Sequence, residues 1–365
     1  MAKTKKETYT IKDDTNSVIE RLKKKSTIGL SYSGKSLEEL RIKNWIDTGN
    51  YVLNALISGD VYKGLPGNKI VQLAGPSSTG KTFLAQDMIK SAQKQGYNIV
   101  YYDTEGAQDL DSLQNRGIDL EKFILIKLTT VEELILSISE ITEGITENDK
   151  VLVVLDSLGQ LSTSKEIEDA KNKKTTADMT RAKQIKKLTR MFTVDFNVKN
   201  IPFVIINHTY QVIGAYGNQS KASGGTGIEF SPTVSIFLSK KKDKNSKDEI
   251  IGAIITAKAE KNRIAKPYKK VQLNISYSSG LNRYSGLLQY ALEGNFIIKK
   301  GKTFYYKGEE LEKGKINKDF FEELLKEGLA EYLNKEFKYS SSVSDIVDDL
   351  DSETEEEKPE DTDDL

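Results

Sequence analysis

Residues 75–82 read Gly-Pro-Ser-Ser-Thr-Gly-Lys-Thr and stand between an apolar run at 70–74 and a helix-like stretch at 83–93. Glycines at both ends let backbone N–H groups turn inward around phosphate oxygens, and a helix beginning directly behind them adds the positive end of its dipole. In this setting the pattern GxxxxGK[ST] reads as a phosphate cradle. Gly75, Ser77, Ser78, Thr79 and Gly80 form its wall, Lys81 brings a point charge to the β- and γ-phosphates, and Thr82 offers a hydroxyl to Mg²⁺. Such a loop needs a strand ending at its first glycine and a helix starting at its last, which predicts an α/β fold.

The rest of the chain agrees. Short aliphatic runs at 70–73, 99–102, 123–126, 151–155 and 203–206 alternate with helical stretches. That pattern predicts a mostly parallel central sheet covered on both faces. Runs at 235–238, 254–256 and 271–276 predict a β extension of the same sheet. Beyond 284 come a helix over 285–292, a two-stranded element around Lys300-Gly301-Lys302, and helices over 318–327 and 329–336. The expected divisions are an N-terminal helical arm and linker (1–44), a nucleotide-binding core (45–284), a small α+β domain (285–340) and an acidic tail (341–365) too charged to fold.

Two carboxylates and the single histidine stand at strand ends. Asp156 closes the run 151–155, where a carboxylate holds Mg²⁺ beside a phosphate loop. Glu105 follows the run 99–102, placed either as an ordinary loop acid or as the base that polarises an attacking water. His208 follows the run 203–206 and reads either as a buried, hydrogen-bonded imidazole or as a group facing the nucleotide, since ligands sit beyond the carboxyl ends of parallel strands.

Composition narrows the class. The 365 residues include no cysteine and one histidine, which excludes disulfides, thiolate metal sites, a cysteine nucleophile and a His-rich zinc site. The longest aliphatic run, 151–155, falls far short of the roughly 20 residues a membrane span needs. No apolar stretch follows the lysine-rich start, which argues against a secretory signal, so a cytoplasmic protein without a membrane partner is expected. The 54 basic and 54 acidic residues cancel, but residues 345–365 hold twelve acids and one lysine, leaving 53 basic against 42 acidic in residues 1–344. A positive body with a negative tail fits a polyanionic partner, and equally a tail that only aids solubility.

The motifs together resemble the RecA-type recombinases, most closely their bacteriophage UvsX-like branch. The resemblance covers about residues 45–340 and rests on the order of 75–82, Tyr102-Asp-Thr-Glu105, Leu155-Asp156-Ser157-Leu158-Gly159, Asp178-Met-Thr-Arg-Ala-Lys183, Asn207-His208-Thr209-Tyr210, Gly224-Gly-Thr-Gly227 and Glu260-Lys-Asn-Arg-Ile-Ala265. It implies a RecA-like P-loop core and a DNA-dependent ATPase that uses ATP and Mg²⁺. Such a protein assembles head-to-tail into a helical filament on single-stranded DNA and pairs that strand with a homologous duplex.

By the same resemblance Glu105 activates water, His208 senses the γ-phosphate, and Lys261 and Arg263 reach the neighbouring subunit's ATP. Two segments resemble DNA-binding loops. One, at 160–179, leads into Thr180 and Arg181; the other, at 209–228, carries Tyr210, Ile213, Lys221, Gly224 and Gly225. Double-stranded DNA, a single-strand-binding protein and a loader are the further partners implied, in a host cytoplasm if the chain is of phage origin. A ring-shaped helicase on the same core is the rival reading. One departure stands out: Ser112 occupies the position where the family often carries an aromatic residue over the adenine.

Overall fold

A computed structural model describes residues 18, 22, 38, 41–173, 180–211, 220–222, 231–245, 247–276 and 280–339. Two compact units divide the chain, residues 1–43 and 44–365. In the first, Arg41 pairs with Glu38 at 2.8 Å. Of the helical arm expected within residues 1–44, Val18 and Leu22 are described as helical.

The second unit opens with a short ribbon, β1 (Trp45–Ile46) against β2 (Leu65–Pro66), flanking helix α1 (Tyr51–Ser58). A ten-stranded sheet follows. Its strands are β3 (Ile70–Gly75), β4 (Asn98–Asp103), β5 (Phe123–Lys127), β6 (Val151–Asp156), β7 (Phe203–Gln211), β8 (Ser220–Ala222), β9 (Val234–Lys244), β10 (Ile250–Asn262), β11 (Lys270–Ser276) and β12 (Gly280–Leu281). The order β9–β3–β7–β6–β4–β5 is parallel throughout, and β10, β11 and β12 extend it antiparallel beyond β9. The expected core and its β extension are both present.

Period-2 alternation in the parallel strands sends successive side chains to opposite faces, and both faces are apolar. Val71, Leu73, Tyr101, Leu152, Val154, Val204 and Ile206 enter one cluster, with Leu84, Met88 and Ile89 of α2 (Lys81–Lys94). Val100, Tyr102, Val153, Leu155, Phe203 and Ile205 enter the other. Across α3 (Leu110–Asn115), α4 (Val131–Gly144), α5 (Ser164–Lys171) and α6 (Thr180–Val198), the second face is covered by α4 and α6. Helix α4 forms because Val131, Leu134, Ile135 and Ile138 recur at helical spacing behind a capping box, in which Thr130 and Glu133 satisfy each other's backbone N–H groups.

Beyond the sheet, α7 (Leu287–Glu293), α8 (Lys318–Leu324) and α9 (Ala330–Phe337) contribute Leu287, Leu324, Leu333 and Phe337 to the first cluster. The two-stranded element expected around Gly301 has three strands, β13 (Ile298–Lys300), β14 (Thr303–Tyr306) and β15 (Glu309–Leu311). The extra strand is reached through Lys307 and Gly308, at φ 49° and 86°. Two left-handed residues in succession make the tight hairpin turn whose usual sequence mark is Asn-Gly or Asp-Gly, and Lys-Gly carries a much weaker one. Strands β9 and β10 also run to 11 and 13 residues, well past the short apolar runs; the outer half of β9, Lys240–Lys244, is lysine-rich and leaves no apolar trace, and it pairs with the first residues of β10.

Candidate active site

Strand register assembles the site before any side chain is considered. Gly75 lies opposite His208 across β3 and β7, and Asp103 lies opposite Asp156 across β4 and β6. The phosphate loop, Asp156, the residues after Asp103 and His208 therefore share the carboxyl edge of the parallel strands, where open α/β sheets hold ligands.

The loop has the conformation its sequence implies. Gly80 stands at φ 92°, and a Cβ on it would lie 2.6 Å from Ile255 Cδ1. A Cβ on Gly75 would lie 2.6 Å from the Leu238 carbonyl oxygen, a backbone atom that cannot swing away. Thr79 Oγ1 donates to the Pro76 carbonyl at 2.9 Å, closing the turn. Lys81 is buried, and its Nζ donates to the carbonyls of Gly75 at 3.0 Å and Pro76 at 2.8 Å. Burial lowers its pKa, against the raising effect of the Asp156 and Glu105 charges. Ser77, Ser78, Gly80, Lys81, Thr82, Phe83, Glu105, Asp156 and His208 together line a cavity of about 370 Å³.

Thr82 Oγ1 donates to Asp156 Oδ2 at 2.7 Å, so the two expected Mg²⁺ ligands already touch. Asp156 is 4% exposed, and Tyr101 donates to the same oxygen at 2.7 Å. Burial raises its pKa, opposed by those two hydrogen bonds. Among the described residues no cluster of three or more His, Cys, Asp or Glu side chains is placed to hold a metal. One hydroxyl and one carboxylate suit Mg²⁺, which fills its octahedron with water and phosphate oxygens.

Glu105 is held from three sides. Ser157 Oγ donates to its Oε1 at 2.7 Å, and His208 Nε2 lies 2.9 Å from the same oxygen. Asp103 fixes its backbone, with Oδ1 accepting from Glu105 N at 3.1 Å and from Gly106 N at 2.8 Å. Burial works to raise the Glu105 pKa, but the bonds from His208 and Ser157 outweigh it and leave the carboxyl below its usual range. Both of these side-chain contacts fall on Oε1.

Other expected residues lie elsewhere. Lys261 pairs with Ser235, which pairs with Gln72, while the Arg263 N–H bonds Thr233, whose own N–H bonds Ile70. At about 3.3 Å per residue, Arg263 is about 16 Å along the sheet from Gly75, toward the opposite edge. Burial and then the Arg263 charge push the Lys261 pKa down to about 8. Thr180 begins α6. Arg181 Nε donates to the Leu161 carbonyl at 2.8 Å, and its Nη2 to those of Gly159 at 2.7 Å and Leu158 at 3.2 Å. Tyr210 is 54% exposed on β7, opposite Lys221 of β8. Ile213, Gly224 and Gly225 lie outside the described residues. Ser112 sits in the first turn of α3, its N–H bonded by the Asp109 cap.

Sequence reasoning missed Ser157, Asp103, Tyr101 and Gln108. Ser157 follows Asp156 directly and Asp103 stands two residues before Glu105, so position alone marked both. Tyr101 and Gln108 carried no signal that separates them from core and loop residues.

A family profile described as the RecA N-terminal domain matches residues 15–282. The chain belongs to the RecA family. A "Recombination and repair protein" of Enterobacteria phage T4 is 33% identical over 287 residues, covering 78% of this chain and 73% of that protein. "Protein RecA" from two Mesomycoplasma hyopneumoniae strains, J and 7448, is 28% and 27% identical over 256 residues, covering 70% of this chain and 74% of each relative. The phage protein thus stands nearer than these bacterial ones, as the motifs implied. The family binds nucleotides. Among the described residues no helix is long and apolar enough to cross a membrane.

Proposed function

We infer that this RecA-family chain is an ATP-dependent DNA recombinase. It hydrolyses ATP to ADP and phosphate, forms a helical filament on single-stranded DNA and exchanges that strand into a homologous duplex. The observation that carries this reading is the contact of His208 with Glu105 at 2.9 Å. It joins the candidate base to the strand that runs on into the second DNA-loop segment, so DNA and hydrolysis share one hydrogen bond.

ATP fits with its phosphates in the loop, where Lys81 exchanges the Gly75 and Pro76 carbonyls for phosphate oxygens. Thr82 and Asp156 hold Mg²⁺, which supplies charge neutralisation to the β- and γ-phosphates. Glu105 Oε2 accepts a proton from the attacking water. While His208 holds Oε1, the carboxylate is a weaker base; when the imidazole turns toward the γ-phosphate, Glu105 regains basicity. Lys261 and Arg263 stand too far from their own loop and serve the neighbour's triphosphate, which a head-to-tail, non-closing interface provides.

DNA contacts are assigned to the segments after β6 and β7, which leave the same sheet edge as the phosphate loop. Thr180, Tyr210, Ile213, Lys221, Gly224 and Gly225 follow the strand, with lysine on phosphates and tyrosine or isoleucine against bases. Arg181 anchors the first segment through the three carbonyls it binds. The acidic tail competes for the same basic surface, and a single-strand-binding protein and a loader complete the partners. Residues 1–44 act as an assembly arm, and residues 285–340, whose helices pack into the core cluster of the sheet, receive duplex.

The test is ATP turnover with and without single-stranded DNA, run beside strand exchange on a homologous duplex and micrographs of the assembly. Turnover stimulated by DNA, exchange, and filaments of variable length are expected. Turnover indifferent to DNA, or closed rings of fixed subunit number, would overturn the reading.

A further inference from the structure

Four buried polar side chains form a directed chain beneath the phosphate loop. Gln86 Nε2 donates to Gln108 Oε1 at 3.0 Å, Gln108 Nε2 donates to Tyr101 Oη at 3.0 Å, and Tyr101 Oη donates to Asp156 Oδ2 at 2.7 Å. Gln86, Gln108, Tyr101 and Asp156 are 6%, 9%, 0% and 4% exposed, so no bulk water substitutes for any link.

The direction is fixed from both ends. An ionised carboxylate only accepts, so the tyrosine proton points at Asp156. An amide NH₂ only donates, so Gln108 must approach the lone pair of the tyrosine oxygen and not its proton. The one remaining acceptor on Gln108, its Oε1, is then filled by Gln86 from the phosphate-loop helix.

Strand geometry explains the reach. Tyr101 pairs with Val154 across β4 and β6, so Asp156 is its diagonal neighbour on the same face, a separation an aromatic side chain spans. The opposite side of Asp156 Oδ2 meets Thr82. A carboxylate gripped this way has one rotamer, and it is the one that faces the threonine hydroxyl.

We propose that Tyr101 is a positioning residue for Mg²⁺, holding the Asp156 carboxylate in the orientation that receives the ion together with Thr82. Tyr101 touches neither nucleotide nor metal and acts through Asp156. Gln108 and Gln86 set the tyrosine proton, and through Gln108 the loop behind Glu105 is tied to the same network, its N–H lying 3.4 Å from Asp103 Oδ2. The inference rests on the Mg²⁺–nucleotide reading above. Groups that orient a metal's ligands typically change its affinity by about 10- to 100-fold when removed.

The experiment titrates Mg²⁺ into the full-length protein with a fluorescent ATP analogue and reads the Mg²⁺ concentration at half-maximal tightening. Tyr101→Phe is expected to raise that midpoint about tenfold while leaving affinity in EDTA within about twofold of native. Gln108→Ala removes a neighbour but keeps the tyrosine–carboxylate bond, so its midpoint moves much less, whatever happens to its melting temperature. A native midpoint in Tyr101→Phe overturns the proposal. So does an equal shift in Gln108→Ala, because then general loosening of the core is the cause. Native protein whose nucleotide affinity ignores Mg²⁺ would instead overturn the reading on which the proposal rests.

Discussion

Lys261 gives the account a pH handle. Burial, reinforced by Arg263, lowers its pKa to about 8 in the lone protomer. A lysine with a depressed pKa is fully charged below that value and loses its charge as pH rises through it. At pH 7 about nine in ten protomers carry the cation, at pH 9 about one in ten. If Lys261 meets a neighbour's triphosphate, the anion restores the proton, and assembly takes up nearly one proton per seam above pH 8. The apparent constant for adding a subunit then falls about tenfold between pH 7 and pH 9 through this group alone. Within the protomer the sign is reversed. The unfolded lysine still holds its proton above pH 8, so the burial cost fades and the fold itself gains stability with rising pH. ATP-dependent assembly followed by light scattering at pH 7, 8 and 9 measures the effect, with Lys261→Arg as the reference, since an arginine stays charged. The native constant should drop about tenfold more than that of the variant. Parallel curves for the two proteins would refute the assignment of Lys261 to the seam.

Three further outcomes follow from the site. Glu105→Gln should retain nucleotide binding and lose about 10²- to 10⁴-fold in turnover, measured by phosphate release, because an amide cannot take the water's proton. Gly75→Ala drives a Cβ to 2.6 Å from the Leu238 carbonyl oxygen, so the melt should show a loss of about 1–3 kcal/mol together with weakened nucleotide binding. Arg181→Ala should leave the salt dependence of DNA binding unchanged, since its guanidinium serves the carbonyls of Leu158, Gly159 and Leu161, while DNA stimulation of turnover falls. A salt slope shallower by about one would instead mark it as a phosphate contact.

The legible parts of this chain were those where a local pattern has a single physical meaning. The octet at 75–82 with its strand and helix fixed the phosphate loop, and the parallel strands were visible because burial on both faces leaves continuous apolar runs. Asp156 and His208 were legible by the same logic, as polar residues at or just past the ends of such runs. What stayed hidden depends on three-dimensional neighbours. Tyr101 reads as core from its strand parity, and only the register of β4 against β6 brings its hydroxyl to Asp156. Lys261 and Arg263 carry charge but no address; the antiparallel pairing of β10 with β9 is what turns them away from their own loop. The third strand of the small sheet was missed because a left-handed Lys307, at φ 49°, is a costlier way to build a turn than Asn and carries no turn signal in the sequence.

The central claim, that nucleotide is completed at a seam between subunits, is tested most directly by mixing two inactive proteins. Lys81→Ala retains the trans cations but has no working loop, and Lys261→Ala/Arg263→Ala retains the loop but no cations. Random head-to-tail assembly of equal amounts places a sound loop against sound cations at about a quarter of the seams. ATP turnover on single-stranded DNA should therefore recover to about a quarter of native from two proteins that are each nearly silent alone. A mixture no more active than its parts would mean that the cations serve their own chain or none, and the account would fail.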